Sequence, residues 1–417
     1  MTLRRNQLAM LAAAIERLAQ LDIPADSALH QFFRAHGEMG ARDRALVADG
    51  AFAYLRRKRS LEALAQSTLP RHLALGVAVR DFGHSVRELL PAINASDADW
   101  LAALKSRLHD ALPPAVAADV PDWLWERLGD VYGGDTRAAL TRAWQTPAPL
   151  DLRANVMKTS RDDALAALKA DGFDVIATPF APHGLRIDGR PSLATHPWIV
   201  DGTLEVQDEG SQLIGVLVAP RRNDMVVDFC AGAGGKTLLL GAMMRSQGRL
   251  YAFDVAARRL QNMTPRLARS GLSNVHPQVI AHERDAKVKR LAGKIDRVLV
   301  DAPCTGFGTL RRNPDLKWRQ TPQDLAELTA KQARILEAAS TLVKPGGRIV
   351  YATCSVLPEE NDAIVDAFLR EHPAFVERDV APLLAQAGVT LDTGARLRLL
   401  PHVHGCDGFF AAVLERH

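Results

Sequence analysis

Apolar residues recur at helical spacing through the first 145 residues of the chain. Leu8, Leu11, Ile15 and Leu18 fall on one face at a 3.6-residue period. Asp26-Ser27 reads as an N-cap for a helix over 28–34. Gly40-Ala41-Arg42-Asp43-Arg44 opens another helix, with Leu46, Val47, Phe52 and Leu55 as its apolar positions. That helix runs into Arg56-Arg57-Lys58-Arg59. Two readings of this basic run weigh equally: a solvated helix end favoured by the dipole, or contact with RNA. Pro113-Pro114 and Pro121 punctuate the remaining helices. The pattern predicts an all-helical domain over 1–145.

At Thr146-Pro147-Ala148-Pro149 the period changes. Residues 150–156 alternate like a strand, and 161–172 read as a helix starting after Ser160 and stopping at Gly172. Further strands are expected over 173–178 and 184–187. This predicts a small α+β domain over 146–215. Beyond it strands and helices alternate, which implies a parallel sheet. The expected strands cover 225–229, 249–253, 275–280, 297–300, 348–353, 375–377 and 409–414. The last pair, entered through Asp407-Gly408, fits a hairpin-like finish. Residues 216–417 are therefore expected to form an α/β, Rossmann-like domain with a parallel-rich, seven-stranded sheet.

Composition changes this picture little. The 417 residues are 47% apolar and 24% charged, with a net charge of +4, as in an ordinary globular chain. The mild basic balance is compatible with a nucleic-acid partner but does not require one. Cys230, Cys304, Cys354 and Cys406 form no CxxC pair, so no metal site is expected. The apolar run after Arg4-Arg5 is hemmed in by Asn6, Gln7, Glu16 and Arg17, which argues against a signal peptide. With no apolar stretch of about 18 residues, a membrane span is not expected. A cytoplasmic monomer with free thiols is the default.

Candidate chemistry begins at Val226-Val227-Asp228-Phe229-Cys230-Ala231-Gly232-Ala233-Gly234-Gly235-Lys236-Thr237, which reads as strand, tight turn and helix start. Such a turn lets backbone approach a nucleotide, with helix N–H groups aimed at it. A P-loop needs a glycine where Cys230 stands, and a dinucleotide fingerprint needs one where Thr237 stands. What remains is a glycine loop flanked by acids ending two strands, Asp228 and Asp254. Asp254 is suited to accept both hydroxyls of a ribose, and no pyrophosphate is required. That suits S-adenosylmethionine, although Asp254 would serve equally as a helix N-cap.

Asp301-Ala302-Pro303-Cys304-Thr305-Gly306 and Thr353-Cys354-Ser355 follow the fourth and fifth strands. Both thiols thus fall at carboxyl strand ends, where doubly wound folds keep their active sites. A single free cysteine is usually a small buried apolar residue. Two at adjacent strand ends beside a cofactor loop favour chemistry. Methylation of pyrimidine carbon 5 needs a thiolate to add to carbon 6 and make carbon 5 nucleophilic. Asp301 stands where an acid assisting ring nitrogen 3 is wanted.

These stretches, with Arg311-Arg312-Asn313-Pro314-Asp315-Leu316-Lys317-Trp318, Glu359-Glu360-Asn361 and His404-Gly405-Cys406-Asp407-Gly408-Phe409-Phe410, resemble the Sun/Fmu (RsmB/Nop/NSUN-type) RNA 5-methylcytosine methyltransferases. The resemblance runs from about residue 120 to the end. It implies a class I S-adenosylmethionine-dependent fold, Cys354 as nucleophile, Cys304 in product release and Asp301 in base activation. Cofactor contacts are implied at Cys230, Ala231, Gly232, Ala233, Gly234, Gly235, Lys236, Asp254, Asp285 and Asp301. Gly232 and Ala233 depart from the alanine and proline common in the family. RNA contacts are implied at Lys236, Arg311, Arg312 and Lys317. The helical front, through Gly40–Arg44 and Tyr54-Leu55-Arg56, is similar to a NusB-like RNA-binding domain. The expected substrate is small-subunit (16S) rRNA. Alternatives are a tRNA cytosine-C5 methyltransferase, a non-catalytic RNA-binding or assembly factor retaining the fold, and an NTPase, which Cys230 disfavours.

Overall fold

The computed structural model describes residues 3–189 and 191–417 and divides into two units. The first comprises Met1–Pro147 together with Thr309–Thr321 from late in the chain. Its helices include Arg5–Ala19, Ala25–Ala35, Ala41–Arg56, Lys58–Ala65 and Pro70–Arg80. Leu8, Leu11, Ile15 and Leu18 form the buried face of the first helix, as their spacing requires.

The helix expected over 28–34 starts earlier, with Pro24 and not Asp26-Ser27 at its N-cap. The Ala25 N–H donates to Asp315 Oδ2 at 3.2 Å. A carboxylate there meets an orphan donor and the positive end of the dipole. The same late segment closes the other end of a neighbouring helix. Lys317 Nζ donates to the Arg56 carbonyl at 2.8 Å, and Trp318 Nε1 to the Leu55 carbonyl at 2.7 Å. These are the last carbonyls of Ala41–Arg56, which have no partner within the helix.

Two expectations are corrected here. Lys317 is fully buried and Arg311 is 6% exposed, so neither faces solvent to meet RNA; Arg312 stays partly exposed. The basic run is neither a bare helix end nor an open RNA patch. Arg56 donates to the Arg311 carbonyl, Arg57 pairs with Asp81, Lys58 with Glu62 and Arg59 with Asp122.

Burial pushes the Lys317 ammonium down to about 7, aided by Arg56 and Arg57 and opposed by Asp119. Between about 7 and the ordinary 10.5 the unfolded chain binds the extra proton, so stability rises with pH across that window. Thermal unfolding should show a gain of about 1–2 kcal/mol from pH 7 to 9. In Lys317→Met that rise should vanish; an unchanged rise would assign it to another group.

The second unit comprises Ala148–Gly308 and Pro322–His417. It opens with a four-stranded antiparallel sheet of order β2-β3-β1-β4. Its strands are β1 (Leu150–Ala154), β2 (Val175–Ala177), β3 (Gly184–Ile187) and β4 (Leu204–Val206). The expected helix is Arg161–Ala170, capped by Ser160 Oγ accepting from Asp163 N at 3.1 Å. β4 was not expected.

The larger sheet contains all seven expected strands. They are β5 (Met225–Asp228), β6 (Arg249–Asp254), β7 (Val275–Val279), β8 (Ile295–Asp301), β9 (Val343–Thr353), β10 (Phe375–Arg378) and β12 (Phe409–Arg416). An eighth, β11 (Leu397–Leu399), pairs with β12. The order is β10-β12-β9-β8-β5-β6-β7. The strands from β9 to β7 run parallel, while β12 lies antiparallel to both β9 and β10. Val226, Val227, Val298, Leu299, Ile349 and Val350 are all fully buried. Helices covering both faces of the sheet account for that continuous apolar run. The order reverses between β5 and β8, which opens a crevice at their carboxyl ends.

Candidate active site

The crevice is a cleft of about 500 Å³ within the second unit, a volume suited to a small organic ligand. It brings together residues 230–233 with Gly235, Lys236, Asp254, Asp301, Cys304 and Cys354. All of these were expected site residues. Gln207, Ser211, Ile280, Glu283 and Lys331 also line it, and none was singled out from sequence.

The glycine loop has the conformation its composition suggests. Gly232 and Gly234 take φ of +57° and +88°, where a side chain would strain the backbone. Gly234, not itself on the wall, is the N-cap of helix Gly235–Met243. Its missing Cβ leaves room for Met263. Asp254 holds the loop: Oδ2 accepts from Gly232 N at 2.8 Å and Oδ1 from Ala256 N at 2.7 Å. The helix N-cap anticipated at Asp254 falls instead on Ala256, before the helix Ala257–Ser270, and the second bond closes a local turn ahead of it. Each carboxylate oxygen keeps a further lone pair.

Asp228, at the end of β5, receives Thr237 Oγ1 at 2.7 Å on Oδ2, while its buried Oδ1 has no hydrogen-bond partner. Burial pushes its carboxyl up to about 7; the Thr237 bond works against that, and the Asp301 charge with it. Burial also drives the Cys230 thiol well above its ordinary range. Arg153 of β1 reaches the loop from the smaller sheet, donating to the Gly235 carbonyl at 2.9 Å.

Lys236 Nζ pairs with Asp301 Oδ2 at 2.7 Å and lies 5.3 Å from the centre of the Phe409 ring. Burial disfavours its charge, but Asp301 and Cys354 together outweigh that and hold it above the usual lysine range. Cys304 Sγ and Cys354 Sγ approach to 3.3 Å, and both thiols are free. Their loops are stitched by backbone bonds: Gly308 N donates to the Cys354 carbonyl, and Gly408 N to the Gly308 carbonyl, each at 2.8 Å. A Cβ on Gly308 would collide with the Gly408 carbonyl oxygen.

Asn361 pins the Cys354 loop on both sides. Its Oδ1 accepts from Thr353 Oγ1 at 2.5 Å, and its Nδ2 donates to the Ser355 carbonyl at 3.1 Å. Glu360 performs the same service for the Cys304 loop, accepting from Thr305 N at 2.8 Å and Thr305 Oγ1 at 2.6 Å. The Glu359-Glu360-Asn361 match signalled this pair, but nothing local indicates which loops they hold.

Asp285 is not among the cleft-lining residues. Its Oδ1 accepts from Lys287 N and its Oδ2 from Ala281 N, both at 2.8 Å, so its carboxylate braces an exposed turn. Arg311, Arg312 and Lys317 belong to the helical unit.

Comparison with known proteins agrees with this geometry. The family described as 16S rRNA methyltransferase RsmB/F matches residues 215–415, and its ferredoxin-like domain matches residues 120–194. A probable ribosomal RNA small subunit methyltransferase B of Synechocystis is 36% identical over 71% of this chain and 66% of its own length. The chain thus spans just under two thirds of that relative. The Escherichia coli ribosomal RNA small subunit methyltransferase B is 32% identical over 81% of this chain and 71% of its own. A solved protein designated PH0851 superposes with a TM-score of 0.81 at 26% identity, covering both chains completely. The chain belongs to the RsmB/F family of 16S rRNA methyltransferases.

Proposed function

We propose that this chain methylates carbon 5 of a cytosine in small-subunit ribosomal RNA, using S-adenosylmethionine and a pair of thiols. The observation that carries the reading is the 3.3 Å approach of Cys304 to Cys354 in the cleft that holds the glycine loop. The names of the family and of the relatives support 16S rRNA as substrate.

The residues present fit the cofactor. Asp254, with lone pairs to spare, suits the ribose hydroxyls, and Ile280 offers an apolar wall for the adenine. The unpartnered Asp228 Oδ1 suits an ammonium donor such as the amino group of the methionine part. When bound, S-adenosylmethionine supplies an electrophilic methyl group. Everything else falls to the protein. Cys354 adds to carbon 6 of the base. Asp301, shared with Lys236, assists at ring nitrogen 3. A base in the cleft takes the carbon 5 proton, the electron pair left behind restores the 5,6 double bond, and the Cys354 thiolate departs, a release that Cys304 serves.

The NusB-like helical unit and the small sheet hold the RNA, with Arg312 as a contact, and the target cytosine leaves its stack to reach the thiol. The protein acts in the cytoplasm as a monomer. The test is nucleoside mass spectrometry after incubation with S-adenosylmethionine and either 16S rRNA or tRNA. 5-Methylcytidine should form in the rRNA; its appearance only in tRNA would reassign the substrate, and none in either would favour a non-catalytic factor. Asp254→Asn turns one acceptor into a donor facing an N–H. It should weaken S-adenosylmethionine binding by about 10–100-fold in calorimetry, the loss of one charge-assisted hydrogen bond. Unchanged affinity would remove Asp254 from the cofactor site.

A further inference from the structure

Glu360 has no place in the chemistry just described, yet it is fully buried beside it. Its carboxylate receives only donors: Thr305 N, Thr305 Oγ1, the Ser355 hydroxyl and Gln332 Nε2 at 3.0 Å. Thr305 follows Cys304 and Ser355 follows Cys354, so one side chain joins the residues next to both thiols. Gln332 also donates to the Pro303 carbonyl at 2.9 Å, bracing Cys304 from its other side. Tyr351 from β9 donates to the Glu360 carbonyl at 2.7 Å. Burial raises the Glu360 carboxyl, and these donors work against that, an environment of donors that suits a charged carboxylate.

We propose that Glu360 is a positioning residue that gives the two thiols unequal roles: it keeps the shared proton on Cys304 Sγ, which donates it in a hydrogen bond to Cys354 Sγ. The proposal rests on the two-cysteine reading above. The titratable groups around the pair are Glu360, Tyr351 and the ion pair of Lys236 with Asp301. The hydrogen bond with Cys354, burial and the Glu360 charge all raise the Cys304 thiol, while Lys236 interacts with Cys354. Glu360 holds Thr305, next to Cys304, by two bonds and Ser355, next to Cys354, by one, so its charge acts unequally on the pair. Cys304 thus holds its proton as a hydrogen-bond donor, and Cys354 is left to attack.

The test compares iodoacetamide alkylation of the two cysteines near neutral pH by peptide mass spectrometry, without RNA. The wild-type protein should react preferentially at Cys354. Glu360→Gln keeps the shape and removes the charge, and should shrink that preference about tenfold, one pKa unit between the thiols. Thr305→Val removes a hydroxyl donor and keeps the charge, so the preference should survive. An unchanged preference in Glu360→Gln overturns the proposal, as does an equal loss in both variants, which would mean packing alone. Should Glu360→Gln not fold, Glu360→Asp carries the test. It keeps the charge, so loss of the preference there would equally overturn the proposal. Failure of the wild-type protein to methylate RNA would sink the two-cysteine reading, but not this comparison, which needs no RNA.

Discussion

Replacing Cys354 with alanine should lower methyl transfer by about 10⁴-fold or more, the scale at which covalent catalysis fails when its nucleophile is lost. Carbon 5 of cytosine is too weakly nucleophilic to take the methyl group unaided, so no slower route of useful rate remains. The neighbouring thiol does not rescue the variant, because burial and the Glu360 charge still raise Cys304 after the Cys354 contact is gone. The variant should fold, since Cys354 lies on the cleft wall and its loop is held by Asn361, not by its own sulfur. S-Adenosylmethionine affinity should stay near wild type. Radiolabelled methyl incorporation and denaturing gels of protein with RNA check both points. Residual incorporation within tenfold of wild type would assign the nucleophile elsewhere.

Replacing Cys304 with alanine should have the opposite signature. Attack by Cys354 proceeds, but release stalls, so a protein–RNA adduct survives denaturation and turnover falls to about one per active site. The two variants differ by one sulfur each at sites 3.3 Å apart, so a difference this large cannot come from general disruption. Burst kinetics would show it: one rapid methylation event, then almost none. A Cys304→Ala protein that turns over normally would strip Cys304 of its role in release. The double variant should neither methylate nor capture RNA.

Most of this site was legible in the chain because its signals are local. The apolar runs ending in Asp228 and Asp254 mark strands, and glycines at positive φ mark the turn between strand and helix. Thiols placed just after two such runs had to fall at the carboxyl ends of strands in one parallel sheet. Three-residue strands were not legible: Leu204–Val206 and Leu397–Leu399 exist because β1 and β12 offer them edges. Their own sequence is too short to express a period.

The errors share one cause, which is partners distant in sequence. The helix Ala25–Ala35 starts where it does with an acceptor supplied by Asp315, 290 residues on. Arg56–Arg59 reads as an exposed basic run until Asp81, Glu62 and Asp122 are found opposite it. Lys317 looked like an RNA contact beside the active-site motif, yet it closes the end of a helix in the other unit. Glu360, an acid with no role assigned from the sequence, joins the Cys304 loop through Thr305, 55 residues before it.

Cys354 forms the bond to the base, and Cys304, 3.3 Å away, serves to undo it. The most direct measurement is mass spectrometry of the adduct trapped by Cys304→Ala after nuclease and protease digestion. A single peptide should carry a methylated cytidine nucleotide on Cys354. Attachment at any other residue, or an adduct lacking the methyl group, would contradict it.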